Sequence, residues 1–352
     1  MADRSDTAPP RTDADGGRSD TAMRRPEDGA GPAMRRPEDG AGPAQHGSGR
    51  SGRLPGRLWA YLSEMYPVLP RLAVAAILFF EIYFVLLLNY GVHDFHLGIQ
   101  EAVGTLTVFT FLLLLRIADD FKDYETDRRL FPERALPSGR VSRRDLSLLL
   151  GVTVTVTVAA NVVFMNNLPY FVLLYVYGTL MSLWFFQRHR IQPNLLLALV
   201  THNPVTMVLN IYAISFTCTK YGLDGLTLTT FLLAFTMYFP GLIWEVARKI
   251  RAPEEETDYT TYSKVLGYRK ATRFILVLTL VDVVTNLLLV LRINRVAVVA
   301  LLVNVAWITW VFLRYLRDPS RFRLIGRVER YTYLTETIMV LAVAAHLALG
   351  YR

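Results

Sequence analysis

Residues 116–129 read Arg-Ile-Ala-Asp-Asp-Phe-Lys-Asp-Tyr-Glu-Thr-Asp-Arg-Arg, directly after an apolar run from Val103 to Leu115. A run that could cross a bilayer as a helix here meets dense acid. Residues four apart drift only slowly around a helix, so Asp119, Asp123 and Asp127 are expected to form one acidic stripe, with Asp120 at its flank. Carboxylates at this density repel one another unless a cation sits between them. Hard oxygen ligands favour Mg²⁺, which keeps positions open for water or phosphate oxygens. The plainer reading is a solvated helix end pairing with Lys122, Arg128 and Arg129. Four aspartates within nine residues at a membrane boundary are unusual for that role, and metal binding is preferred.

Working outward, the 352 residues are 52% apolar, and the apolar residues lie in blocks rather than in alternation. This pattern predicts an all-α, polytopic membrane protein. Nine blocks are each long enough to span: about 71–92, 97–118, 145–165, 169–187, 192–216, 225–247, 271–291, 295–316 and 332–350. Residues 57–68 read as an amphipathic helix on the membrane surface, ended by Pro67. Residues 1–56 are rich in Gly, Pro, Ala, Asp and Arg and are expected to be a disordered tail. Within them Met23 to Ala33 recurs unchanged as Met34 to Ala44, which reads as a duplicated linker. The domain proper is then 57–352. No apolar signal-peptide core precedes residue 58.

The net charge is +8, but the basic residues sit in short loops between apolar runs rather than in a patch suited to nucleic acid. Arg128, Arg129, Arg134 and Arg140 follow span 2; Arg188 and Arg190 follow span 4. Arg248, Lys249 and Arg251 follow span 6; Arg317, Arg321 and Arg323 follow span 8. Loops after spans 1 and 3 carry none. The positive-inside rule therefore puts the amino terminus and the acidic stripe on the cytoplasmic side. Only five of the 38 basic residues are lysines, which points weakly to a GC-rich bacterial genome and a bacterial inner membrane. Cys218 is the single cysteine, so an intrachain disulfide is excluded. Gly-rich phosphate loops, Cys/His zinc spacings and nucleophile elbows are absent from the sequence.

The stripe and the basic loop after it suit a diphosphate held through metal. Asp119, Asp123 and Asp127 would take the ion, and Arg128, Arg134 and Arg140 would neutralise the leaving group as forked donors. A second charged stretch runs from Trp244 to Gly267 after span 6, with Glu245, Arg248, Lys249, Arg251 and the acids Glu254, Glu255, Glu256 and Asp258. Metal binding by Glu245 and Glu256 is one reading. The other has Lys249, Arg248 and Arg251 contact the diphosphate directly, and an ordinary cytoplasmic loop is the plain alternative. Inside the spans, Glu81, His202 and Asp282 are ionisable, with Asn203, Asn210, Asn286 and Asn304 beside them; interhelical hydrogen bonding is their default role. Tyr175, Tyr177, Trp184 and Arg188 are placed to border a cavity or to form an aromatic belt.

Residues 119–140 resemble the first motif of the UbiA superfamily of intramembrane prenyltransferases. That motif is Asn-Asp-x-x-Asp-x-x-x-Asp-Arg, followed by Arg-Pro-Leu-Pro-Ser-Gly-Arg. Asp119 stands in place of the Asn; Asp120, Asp123, Asp127 and Arg128 match; Arg134 to Arg140 match with Ala135 for Pro. The Trp244–Gly267 stretch resembles the second motif in position and in its Thr261 to Gly267 ending, with Lys249 and Ala252 where aspartates are expected. The resemblance spans roughly residues 60 to 352 and implies a nine-helix bundle. Taken with the residue reading, it puts Mg²⁺ on Asp119, Asp120, Asp123 and Asp127, and diphosphate on Arg128, Arg134, Arg140, Arg188 and Arg248. Where the second motif departs from the family, Glu245 and Glu256 are read from their own chemistry as further metal ligands and Lys249 as a diphosphate contact, with Asp123, Asp127 and Lys249 serving catalysis. The implied substrates are an isoprenyl diphosphate donor and an aromatic or lipid-like acceptor reached from the bilayer. A cyclase of the same fold acting without acceptor, and a non-catalytic lipid-binding or transport relative, are the competing functions.

Overall fold

The computed structural model describes residues 52–257, 260–291 and 293–349. The repeats of the amino-terminal tail and Asp258 lie outside these residues. Among the described residues the chain is helical throughout, without strands. In chain order the helices are α1 (Leu54–Met65), α2 (Val68–Asn89), α3 (Ile99–Lys122), α4 (Tyr124–Leu130), α5 (Arg143–Phe164) and α6 (Leu168–Ser182). They continue with α7 (Arg188–Ile191), α8 (Leu195–His202), α9 (Val205–Tyr221), α10 (Leu228–Thr236) and α11 (Phe239–Ala247). The last four are α12 (Tyr262–Leu266), α13 (Tyr268–Val290), α14 (Arg295–Arg317) and α15 (Ile325–Leu349).

Seven of the expected spans coincide with helices long and apolar enough to cross a membrane. Two of those seven are broken. Pro204 has no N–H to continue the ladder, and span 5 divides there into α8 and α9. Span 6 divides into α10 and α11 around Met237 and Tyr238, with Pro240 in the first turn of α11. The other two expected spans fall on α6, only 15 residues long, and on α15, which carries Arg327, Glu329, Arg330 and Glu336 among its 25 residues.

Close packing around α3 sets the frame. A Cβ built on Gly104 would lie 2.4 Å from the Phe79 ring of α2, and one on Gly178 of α6 would lie 2.6 Å from the Phe111 ring of α3. Glycine at these two positions lets α2 and α6 come within ring thickness of α3. Where no hydrophobic difference between lipid and protein drives helices together, such contacts and polar bonds do. Asn161 of α5 donates to the Thr107 hydroxyl of α3 at 2.8 Å and accepts from Tyr212 of α9 at 3.0 Å. Thr157 of α5 bonds Thr110 of α3 at 3.0 Å.

A smaller apolar cluster joins α1, α3, α5 and the loop after α4: Tyr61, Tyr66, Leu113, Ile117, Ala135, Leu136, Val141 and Leu146. The surface helix expected at 57–68 is thus amphipathic with a protein-facing side. It sets Tyr61 and Tyr66 into this cluster while Trp59 stays exposed. Ser142 and Asp145 cap α5 reciprocally, Asp145 N–H donating to Ser142 Oγ and Ser142 N–H to Asp145 Oδ2. Arg57 of α1 then grips the same carboxylate at 2.7 and 3.0 Å. Loop 131–142 is held between these elements, and Gly139 supplies the positive φ that its turn requires.

Candidate active site

The acidic stripe does not survive as one row. α3 stops at Lys122, and Asp123 is the junction residue (φ −99°, ψ 8°) from which α4 sets off. Asp119 and Asp123 open into a cavity of about 710 Å³. Asp120 and Asp127, seven residues apart, turn to the opposite side, where they share a narrow crevice with Tyr61, Arg134 and Leu136.

The cavity is walled by three parts of the chain. The α3–α4 junction supplies Asp119, Lys122, Asp123 and Thr126. The segment from Met181 to Thr206 supplies Trp184, Gln192, His202 and Asn203, together with an apolar surface of Met181, Leu195, Leu199 and Val205. The end of α11 and the loop beyond it supply Glu245, Arg248, Lys249, Thr260 and Tyr262. Both charged motifs therefore face one space.

Electrostatics differ between the two charged walls. Lys122 Nζ lies 2.9 Å from Asp119 Oδ1 and over the Trp184 ring, 4.7 Å from its centroid. No salt bridge engages Asp123 among the described residues. Surrounding protein raises its carboxyl above the ordinary aspartate value; Lys122 opposes that shift, and Asp119 and Asp127 add to it. Across the cavity, Glu245 is held by Arg248 Nε at 2.5 Å and Lys249 Nζ at 2.8 Å. The lining thus has three carboxylates against three cations, with the carboxylate surplus on the first wall and the cation surplus on the second.

Other expected site residues stand elsewhere. Asp120 is buried and bound by the Tyr61 hydroxyl at 2.5 Å and by Arg116. Burial, and then the Asp120 carboxylate, push the Tyr61 phenol well above its ordinary range, so it remains a donor. Asp127 accepts from Arg134 Nη1 through both oxygens at 2.8 Å. Arg140 reaches the Glu133 carbonyl at 2.6 Å and Glu64 at 2.7 Å. Arg128 lies on the outer face of α4 beside Glu125 and Arg129. Arg188 borders a second cavity of about 440 Å³, separated from the first by Lys122 and Trp184, which line both. Glu256 is occupied by the Thr261 hydroxyl at 2.7 and 2.9 Å. Thr261 also caps α12, and Gly267 ends that helix with φ +81°. Of the border residues, Tyr177 donates to the Thr201 carbonyl and Tyr175 pairs with Thr110.

Lys122, Thr126, Gln192, Asn203 and His202 reach the cavity without having been expected there. Pro204 was the available signal for the last two, since a broken helix exposes side chains at mid-bundle. Trp184, Phe185 and Phe186 all take positive φ (55°, 48° and 57°), a left-handed turn made without glycine. This turn carries Trp184 into the wall beside His202, ring centroids 4.8 Å apart. The Trp184 indole N–H and His202 Nε2 are buried without a hydrogen-bond partner.

Asp119 and Asp123 present hard oxygens one turn apart beside open volume, and Asp123 forms no ion pair among the described residues, a donor set that fits one hydrated divalent ion. Among the described residues, however, no three His, Cys, Asp or Glu side chains converge to hold a metal unaided.

Residues 76–325 match the model of the UbiA prenyltransferase family. One solved chain, described by the words "Structural and mechanistic insights into the biosynthesis of Digeranylgeranylglyceryl phosphate synthase in membranes", is 15% identical. It superposes with a TM-score of 0.58 over 83% of this chain and 98% of its own. An apo structure of a UbiA homolog from Aeropyrum pernix K1 is 14% identical, with a TM-score of 0.55 over 79% and 98%. None of the curated proteins matches. With seven membrane-length helices and a family match over most of its length, this chain is a multi-pass membrane protein that belongs to the UbiA prenyltransferase family.

Proposed function

We propose that this protein transfers an isoprenyl group from a prenyl diphosphate to an aromatic or lipid-like acceptor, releasing diphosphate, with the 710 Å³ cavity as its active site. The observation that carries the reading is the facing pair of walls: Asp119 and Asp123 on one, Arg248 and Lys249 on the other, over an apolar floor. Family members generally use Mg²⁺ with diphosphate substrates. Asp119 and Asp123 would hold that ion, which when bound withdraws charge from the diphosphate.

The chain's own residues then divide the work. Lys249 and Arg248 take the diphosphate oxygens as they gain charge, Arg as a planar fork and Lys as a compact point charge. Binding draws both cations away from Glu245, which serves in the free enzyme as their counter-ion. Met181, Leu195, Leu199 and Val205 keep water from the prenyl carbon as positive charge develops on it. Asp120, Asp127, Arg134 and Arg140 support the first wall from behind by fixing α4 and loop 131–142. The loop arginines support placing the charged walls on the cytoplasmic side, and the scarcity of lysine supports a bacterial membrane.

The test is purified full-length protein incubated with a panel of prenyl diphosphates, with and without aromatic and lipid-like acceptors, in Mg²⁺ or in a chelator. Acceptor-dependent diphosphate release in Mg²⁺ is the expected result. A hydrocarbon or alcohol formed from donor alone would identify a cyclase instead. No diphosphate release under any combination would remove the enzymatic reading.

A further inference from the structure

Apart from the residues that line the charged cavity, the bundle contains a polar site that the proposed reaction does not use. It is built from the middle thirds of three helices: Glu81 of α2, Asp282 of α13 and Glu336 of α15. Glu81 is 5% exposed and Asp282 fully buried, while Glu336 is half-buried. The charged group facing Glu81 is the Glu336 carboxyl, and Glu336 in turn faces Asp282. Sequence reading singled out Glu81 and Asp282 as ionisable groups inside the spans; Glu336 joins them.

Donors are too few for this site. Asp282 accepts from Tyr331 Oη at 3.0 Å and from Asn286 Nδ2 at 2.9 Å. Both Glu81 oxygens are buried and meet no donor but the Glu336 carboxyl itself, and the carbonyl oxygens of Asn286 and, on neighbouring α14, Asn304 are buried without a partner. Every one of these orphaned atoms is an acceptor. None of the three carboxyls forms a salt bridge among the described residues; the titratable groups around them are one another and Tyr331. Two carboxyls that meet acceptor to acceptor attract only if a cation lies between them. Acids held inside a membrane bundle are costly unless neutralised.

We propose that Glu81 and Glu336 form a small-cation site within the membrane bundle, taking a proton or a sodium ion between their carboxyls, with Asp282 beside Glu336. Multivalent metals are disfavoured, because no three acids among the described residues converge into a cage. Asn286 and Asn304, bonded through their amide nitrogens to Asp282 and to Tyr331 and Thr335, leave neutral oxygens unpartnered on α13 and α14.

Dicyclohexylcarbodiimide, a membrane-permeant reagent that adds only to a protonated carboxyl, tests this on the full chain in micelles. Labelling is followed from mildly acidic to mildly alkaline pH, in sodium chloride or choline chloride, with peptide mapping and a parallel Tm measurement. The expected adduct maps to Glu81 or Glu336 and falls roughly tenfold in E81Q and E336Q. Sodium protection against labelling, or a sodium-raised Tm that E81Q abolishes, assigns the ion; sodium-independent labelling assigns the proton. E81Q itself should keep or raise the Tm, since its amide supplies the missing donor to Glu336. An adduct that persists in the double variant overturns the site. So does the absence of labelling together with a Tm indifferent to sodium and pH in the wild type. None of these readouts depends on prenyl transfer, so the site stands or falls apart from the proposed reaction.

Discussion

Asp119 and Asp123 differ from Asp120 and Asp127 in one respect that four-residue counting hides. The first pair is one helical turn apart and faces the open cavity. The second pair is two turns apart and faces protein, where Tyr61, Arg116 and Arg134 take up its oxygens. A single run of acids thus contains a pair facing open volume, Asp119 bound by Lys122 and Asp123 with no salt bridge among the described residues, and a pair whose oxygens are taken up by protein. In the proposed reaction the first pair carries the chemistry and the second is the frame.

Breaking each pair should therefore give opposite phenotypes. Asp123→Ala leaves no partner stranded, because Asp123 has no ion pair among the described residues. It should lower diphosphate release on the order of 10²–10³-fold with little change in Tm; full activity in the purified variant would sink the assignment. The pH profile offers a second check. The Asp123 carboxyl, raised by burial in the free enzyme, must lose its proton to bind metal, so the Mg²⁺ concentration giving half-maximal activity should rise as the pH is lowered. Asp127→Ala strands the partly buried Arg134 guanidinium and should instead lower stability. Loss of a buried pair costs several kcal/mol, but Arg134 is a third exposed, so about 2 kcal/mol is expected, read as a lower Tm. Donor KM at permissive temperature should stay near wild type; a large rise there would return Asp127 to the metal site.

The two motifs make a second contrast. Where the family pattern expects acids, this chain places Lys249 and the fully buried Ala252. Lys249→Ala should raise donor KM roughly tenfold by removing a charge-assisted contact. Lys249→Asp should do so only at low Mg²⁺ and recover as Mg²⁺ is raised, if a second ion can then bind. A Lys249→Ala enzyme with unchanged donor KM would leave Lys249 as no more than the partner of Glu245.

Much of this was legible in the sequence because continuous apolar runs have few alternatives to membrane helices, and Pro204 marked its own break. The split of the acidic run was not. Nothing in Lys-Asp-Tyr-Glu-Thr forbids a continuous helix through residue 123; α4 departs because Asp127 meets Arg134 and loop 131–142 packs on α1. Such a choice is tertiary and leaves no local mark. The Trp184–Phe186 turn is equally silent, since left-handed backbone ordinarily announces itself by glycine. Glu336 was hidden among the threonines and charges of α15, and its neighbours come from helices far away in the chain.

The smallest expected effect bears most directly on the division between the two pairs. Tyr61→Phe removes one hydroxyl and leaves the ring in its cluster, so packing is conserved. The Asp120 carboxylate then keeps Arg116 but loses its neutral donor in a buried place, at about 1 kcal/mol. If Asp120 belongs to the frame, Tm drops by a few degrees while the Mg²⁺ concentration giving half-maximal activity does not move. If Asp120 is a metal ligand in the working enzyme, freeing it from Tyr61 changes its competition for the ion, and that Mg²⁺ concentration shifts. The same substitution therefore separates a supporting carboxylate from a coordinating one, although Asp119 and Asp120 are adjacent in sequence.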